Sequence, residues 1–172
     1  IVGNATIFAF LAILGLAVFI VEWLIAGRGA RLAPSLSIGL AVASQAPELA
    51  QMDVYELSAA GPFVDHLRRA ARRATFSEYH PDVARGAEWN GVRCEDVQAL
   101  TWPDASFDLV THSEVFEHVP DDARGFAELR RVLRSGGRML FTVPMSDAAR
   151  TVERARLCGD TVEHILPPEY HV

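Results

Sequence analysis

The stretch from 106 to 119, S-F-D-L-V-T-H-S-E-V-F-E-H-V, constrains this 172-residue chain more than any other. Phe107, Leu109 and Val110 make a short apolar run, the pattern of a strand buried in a sheet. The run passes directly into His112, Ser113 and Glu114. An apolar helical turn then returns Glu117 and His118 to the same side. A buried strand that opens onto a polar crevice and continues into a helix belongs in an open α/β sheet, where ligands bind beyond the carboxyl ends of the strands.

The chain before and after it fits that architecture. Residues 52–57 form a first strand, followed by the small residues Ser58, Ala59, Ala60 and Gly61. Pro62 suits the first turn of a helix, which Phe63, Val64, Leu67 and Ala71 continue at three-to-four spacing. Further strands are expected at 74–77, 91–94, 107–111 and 138–143. A helix at 123–133 is closed by Ser135-Gly136-Gly137. Alternation of strand and helix means a parallel sheet with right-handed crossovers. Glu56, Glu78 and Asp96 then stand at three successive strand ends. Glu56 and Glu78 are separated by close to the ~20 residues that divide a phosphate-type turn from a ribose-binding acid.

The net charge of −6 argues against binding nucleic acid through its phosphates, so no such partner is expected. Arg68, Arg69, Arg72 and Arg73 are read as a solvated helix end. Cys94 and Cys158 are far apart and have no metal-ligand spacing, which fits a reducing compartment.

Residues 5–21 carry no charge. Glu22 interrupts them before Trp23, Leu24, Ile25 and Ala26, and Arg28 and Arg31 come next. Residues 1–27 are therefore expected to be a transmembrane helix, anchoring the chain through 5–27 and leaving residues 28–172 on the cytoplasmic side. The alternatives are a very apolar core helix in an unanchored cytoplasmic protein, or a signal sequence ending near Ala41-Val42-Ala43. Residues 28–51, with Pro34 and Pro47, read as a linker with room for a short helix, 52–145 as the α/β domain, and 146–172 as the start of a substrate-specific region. A chain that runs from Ile1 to Val172 in this way reads as a fragment of a longer frame.

Together, F-D-L-V-T-H-S-E-V-F-E-H-V and A-E-L-R-R-V-L-R-S-G-G-R-M-L-F-T-V-P (127–144) resemble the strand-four and strand-five regions of class I S-adenosylmethionine-dependent methyltransferases. C-x-D-V-x-x-L at 94–100 and the region from His164 to His171 resemble a bacterial subgroup, methyltransferase type 11-like. The resemblance implies a Rossmann-like sheet with strands one to five present and the family's two C-terminal strands not readable, and S-adenosylmethionine as cofactor. Glu56 would face the cationic methionine end, and Ser58 and Gly61 would form the turn beside it. Glu78 would accept the ribose hydroxyls. Asp96 would take the adenine amino group, with Val97 donating its N–H. His112 and Ser113 would line the wall beside the methyl group. The first motif differs from the family's acid and three alternating glycines: Ser58, Ala60 and Pro62 hold the glycine positions. A positive φ at Ser58 or Ala60 would cost about 1 kcal/mol or more each.

The implied reaction is methyl transfer to a small-molecule or glycan or lipid acceptor, with oxygen as the receiving atom. His112, titrating near neutrality, is the first candidate base, and Glu114 its catalytic companion. A sharper expectation is that Glu114, Glu117 and His118 hold a Mg²⁺-like ion, with His164 or His171 completing the set, as in similar motifs of some O-methyltransferases. The plainer one leaves His118 hydrogen-bonded without metal. A catalytically silent binding module tethered to a membrane is the alternative function. A nicotinamide-dependent oxidoreductase would want G-x-G-x-x-G after strand one, and that is missing.

Overall fold

The computed structural model describes residues 38–39, 41–43, 48–143, 154–159 and 161–167. Its centre is a six-stranded sheet with β1 (Asp53–Glu56), β2 (Arg73–Glu78), β3 (Glu88–Trp89), β4 (Val92–Cys94), β5 (Phe107–Ser113) and β6 (Leu133–Thr142). The order is β3-β4-β2-β1-β5-β6. Only β3 runs antiparallel to its neighbour. Helices α1 (Pro62–Ala70) and α2 (Asp122–Val132) pack on the two faces of the sheet. A separate antiparallel hairpin, β7 (Ala155–Cys158) and β8 (Thr161–His164), comes after them.

Alternation along the strands separates two cores. On one face, Val110, Met139 and Phe141 meet Phe126, Leu129 and Val132 of α2. On the other, Val54, Leu109 and Leu140 meet Phe63 and Leu67 of α1. Each such side chain contributes about 1.5–3 kcal/mol when fully buried. Asp121 caps α2 by accepting the Arg124 N–H at 3.0 Å, and its own N–H donates to Gln98 Oε1, tying the helix to the loop after β4. Gly125 lets the helix backbone close onto Phe116, where a Cβ would lie 3.0 Å from the ring.

Residues 38–39 and 41–43, inside the expected linker, are helical, as the short helix allowed for there, and Ile38, Ala41 and Val42 are buried against α1 and the sheet. Three expectations need correction. The expected third strand is half of a hairpin: Asn90 and Gly91, both at positive φ, turn β3 back onto β4. Ser135-Gly136-Gly137 do not close α2. The chain leaves the helix at Leu133 directly into β6, and the register against β5 slips between Phe107 and Leu109. The glycines serve that bulge, where a Cβ at Gly137 would lie 2.9 Å from the Arg134 carbonyl. Finally, Phe116–His118 is a single 3₁₀ turn rather than a helix start. The expected transmembrane helix at 1–27 lies outside the described residues. Among those described, no helix is long and apolar enough to cross a membrane.

The bulge has a second effect. It presents Arg134 to Asp53 (3.0 Å) and Asp108 (2.8 Å), and Arg72 and Arg73 reach Asp53 from the other side. Burial alone would raise the Asp53 carboxyl. Hydrogen bonds from Arg134 and Arg72 outweigh it and hold the group below its ordinary range. This ion cluster clamps the amino ends of β1, β5 and β6, and leaves the carboxyl ends to the ligand side.

Candidate functional site

At the carboxyl ends of β1, β2, β4 and β5 lies a cleft of about 350 Å³. Leu57, Val97, Val115 and Val119 give it apolar walls. Tyr55 and Ser77, joined by a 2.6 Å hydrogen bond, contribute from below, and Tyr79 stands exposed at its edge. Asp96, Glu114, Gln98 and His118 supply polar groups, and among the described residues neither lysine nor arginine lines it.

Glu56 ends β1 almost wholly buried, with 2% of its surface exposed. Its carboxylate accepts hydrogen bonds from the hydroxyls of Ser58 (2.7 Å) and Thr111 (2.5 Å). Burial pushes the group up to about 7, against the pull of the two hydroxyls, and no positively charged side chain among the described residues opposes that. The turn after it carries the strain expected of a ligand-binding loop at one point only. Gly61 has φ of 108° and precedes α1 as its N-cap, with nothing within 4 Å of where a Cβ would be. Ser58 and Ala60 have ordinary negative φ, so replacing glycine at those positions brings none of the backbone cost expected from the sequence.

Glu78 ends β2 at the surface and accepts the Ala59 N–H at 3.3 Å, which links the second strand end to the turn after the first. Past β4, Asp96 Oδ1 accepts from the backbone and side-chain nitrogens of Gln98 (2.9 and 3.1 Å). Its Oδ2 and the Val97 N–H have no partner among the described residues and remain available to a ligand. The structure therefore brings Glu56, Ser58, Gly61, Glu78, Asp96 and Val97 to one end of the sheet. Ser113 closes β5, half-buried, on the same face as Thr111.

His112 does not belong there. It has no exposed surface and stacks between Phe116 (4.8 Å) and Phe141 (4.9 Å) on the α2 side of the sheet. Burial drives it down to about 3, so it is neutral in the folded protein and is not a base titrating near neutrality. The metal expectation is corrected as well. Glu114 sits at the strand end with φ of 52°, ahead of the 3₁₀ turn, so the three side chains do not share a helical face. The Glu117 carboxylate is nearly buried, 3.9 Å from His118 Nε2, and no metal-holding group of side chains occurs among the described residues. His171 is outside the described residues, and His164 lies in the separate hairpin.

Glu95 was missed by the sequence reading. It is buried beside Asp96, paired with Arg93 Nε at 2.7 Å, and it accepts the Thr101 N–H at 2.9 Å and the Thr101 hydroxyl. Arg93 in turn lies over the Trp102 ring at 4.2 Å. The signal was the two-residue spacing of Arg93 and Glu95 across the end of β4. This network fixes the loop that carries Asp96 and Val97.

A methyltransferase-domain family, type 11, matches residues 36–141, which contain every candidate position above except His164 and His171. The demethylmenaquinone methyltransferase of Deinococcus radiodurans is 35% identical over 120 residues, covering 62% of this chain and 48% of its own length. A Mycobacterium tuberculosis protein named as a probable S-adenosylmethionine-dependent methyltransferase is 33% identical over 104 residues, covering 58% of this chain and 38% of its own. The crystal structure of an S-adenosylmethionine-dependent methyltransferase from Mesorhizobium loti shares 26% identity, with a TM-score of 0.46 over 59% of this chain and 50% of that one. The chain spans about half the length, or less, of the curated relatives it matches. Because the matched span runs from the helical segment before β1 to within one residue of the end of β6, the chain belongs to the methyltransferase-domain family.

Proposed function

We propose that this domain binds S-adenosylmethionine across the carboxyl ends of β1, β2 and β4 and takes part in methyl transfer to a small-molecule acceptor, with oxygen as the receiving atom. The observation that carries the reading is Glu56: a buried carboxylate with two hydroxyl donors and no cation, beside an open turn at Gly61. A cofactor with a cationic amino-acid end, a ribose diol and a flat base matches what the residues offer. Glu56 opposes the positive charge, Glu78 accepts from hydroxyls, Asp96 Oδ2 and the Val97 N–H take opposite hydrogen-bonding partners, and Leu57 and Val97 supply apolar surface.

Bound S-adenosylmethionine supplies a methyl group already activated by its sulfonium. The chain's own task is then to bind, orient and exclude water, because positioning provides most of the acceleration in such a displacement. With His112 buried, the proton of an acceptor hydroxyl falls to groups on the cleft itself. Glu114 and the half-exposed His118 both line it.

The test is calorimetric titration of S-adenosylhomocysteine into the full chain, with Glu78→Ala as control. Micromolar binding that weakens at least tenfold in the variant supports the reading. A folded protein that binds nothing refutes it.

A further inference from the structure

The neighbourhood of Glu56 contains a feature that the family's glycine turn does not explain. Glu56 and Thr111 are register partners on adjacent parallel strands, so their side chains emerge side by side on the α1 face. Thr111 is wholly buried, and its hydroxyl donates to Glu56 Oε2. Ser58, two residues on, turns back and donates to Oε1. Each carboxylate oxygen is thus held by one hydroxyl. A backbone bond from the Leu57 N–H to the Thr111 carbonyl (3.2 Å) holds the same two strands together one step further along.

A carboxylate gripped in this way is held at both oxygens, and among the described residues it has no counter-ion. On α1, which covers this face, the ionisable side chains are Asp65, His66, Arg68 and Arg69, all exposed. Arg68 is directed to the Ala59 carbonyl and lies over Phe76. On β2, Arg73 and Glu78 are exposed. None supplies the missing positive charge.

We propose that Ser58 and Thr111 are positioning residues: their hydroxyls fix the ionised Glu56 carboxylate as the counter-ion for the amino-acid end of the cofactor. The serine is then an asset at a position where glycine would offer no hydroxyl. The inference rests on the proposed cofactor reading and goes beyond it by assigning the two side chains that make Glu56 effective.

The experiment compares two ligands by calorimetry on the full chain. S-adenosylhomocysteine carries the amino-acid end; 5′-methylthioadenosine has the same nucleoside and lacks it. In Thr111→Val and Ser58→Gly, S-adenosylhomocysteine affinity is expected to fall about ten- to a hundredfold, the effect of losing a hydrogen bond to a charged group. Methylthioadenosine affinity stays within twofold, and Thr111→Ser restores the first ligand. A variant that keeps wild-type affinity for S-adenosylhomocysteine overturns the inference while leaving the cofactor reading standing. Equal loss of both ligands also overturns it, since that marks a general distortion. If the wild type binds neither ligand, the cofactor reading fails and the inference with it.

Discussion

Replacing Glu56 by glutamine should make the unliganded domain more stable, and by an amount that depends on pH. In the fold, burial raises this carboxyl from its ordinary 4.5 to about 7. Between those values the folded chain holds a proton that the unfolded chain has released. The stability associated with the group is therefore fully present below 4.5 and is lost as pH rises through 7. The whole loss corresponds to about 3 kcal/mol, most of which falls between pH 5 and pH 8. Glutamine keeps the shape and an acceptor oxygen but never ionises, so it avoids the loss. Urea denaturation of wild type and Glu56→Gln at both pH values measures the effect, and the difference between the two proteins cancels every other titrating group. The variant's advantage should grow by about 2–3 kcal/mol from pH 5 to pH 8, while its affinity for S-adenosylhomocysteine falls. An advantage that does not change with pH would refute the idea that the carboxylate is buried without compensation.

His112→Phe should leave ligand affinity within twofold and raise stability by about 1 kcal/mol, because both ring nitrogens lack a partner among the described residues in an aromatic stack. The wild-type histidine, held at about 3, withholds a proton that the unfolded chain takes up below 6.5; wild-type stability therefore falls as pH drops through that window, and the variant's should fall less. At position 114, with φ of 52°, Glu114→Gly should be more stable than Glu114→Ala by about 1 kcal/mol in the same denaturation assay, the reverse of the order in an ordinary strand.

The alternation of strand and helix was legible because each buried strand is a short apolar run and each helix shows its spacing. The strand-end acids were legible for the same reason: once the strands are placed, Glu56, Glu78 and Asp96 have to share one end of the sheet. His112 was misread because its surroundings come from Phe116, Phe126 and Phe141, which are distant along the chain or on the far side of a turn. Strand alternation did put residue 112 on the face of Val110, but it could not show that this face remains closed up to the strand's end. The hairpin at Asn90-Gly91 was in plain view, a two-residue turn of the type that reverses a chain between paired strands. The two-residue strand before it is too short and too exposed to have a pattern of its own. The glycines at 136 and 137 looked like a helix stop because a bulge and a helix end use the same residue for the same backbone freedom.

Gly125 sits behind the cleft, yet it touches what forms the cleft. The space its missing methyl would occupy is bounded by Phe116, at 3.0 Å, and by Val97, at 3.5 Å. Val97 is a wall of the cleft, and Phe116 is anchored in the turn that carries Val115 and His118 along it. The spacing of these walls is thus gauged from the rear, by an atom the helix leaves out. A single carbon added there would alter which ligands fit, without ever meeting one.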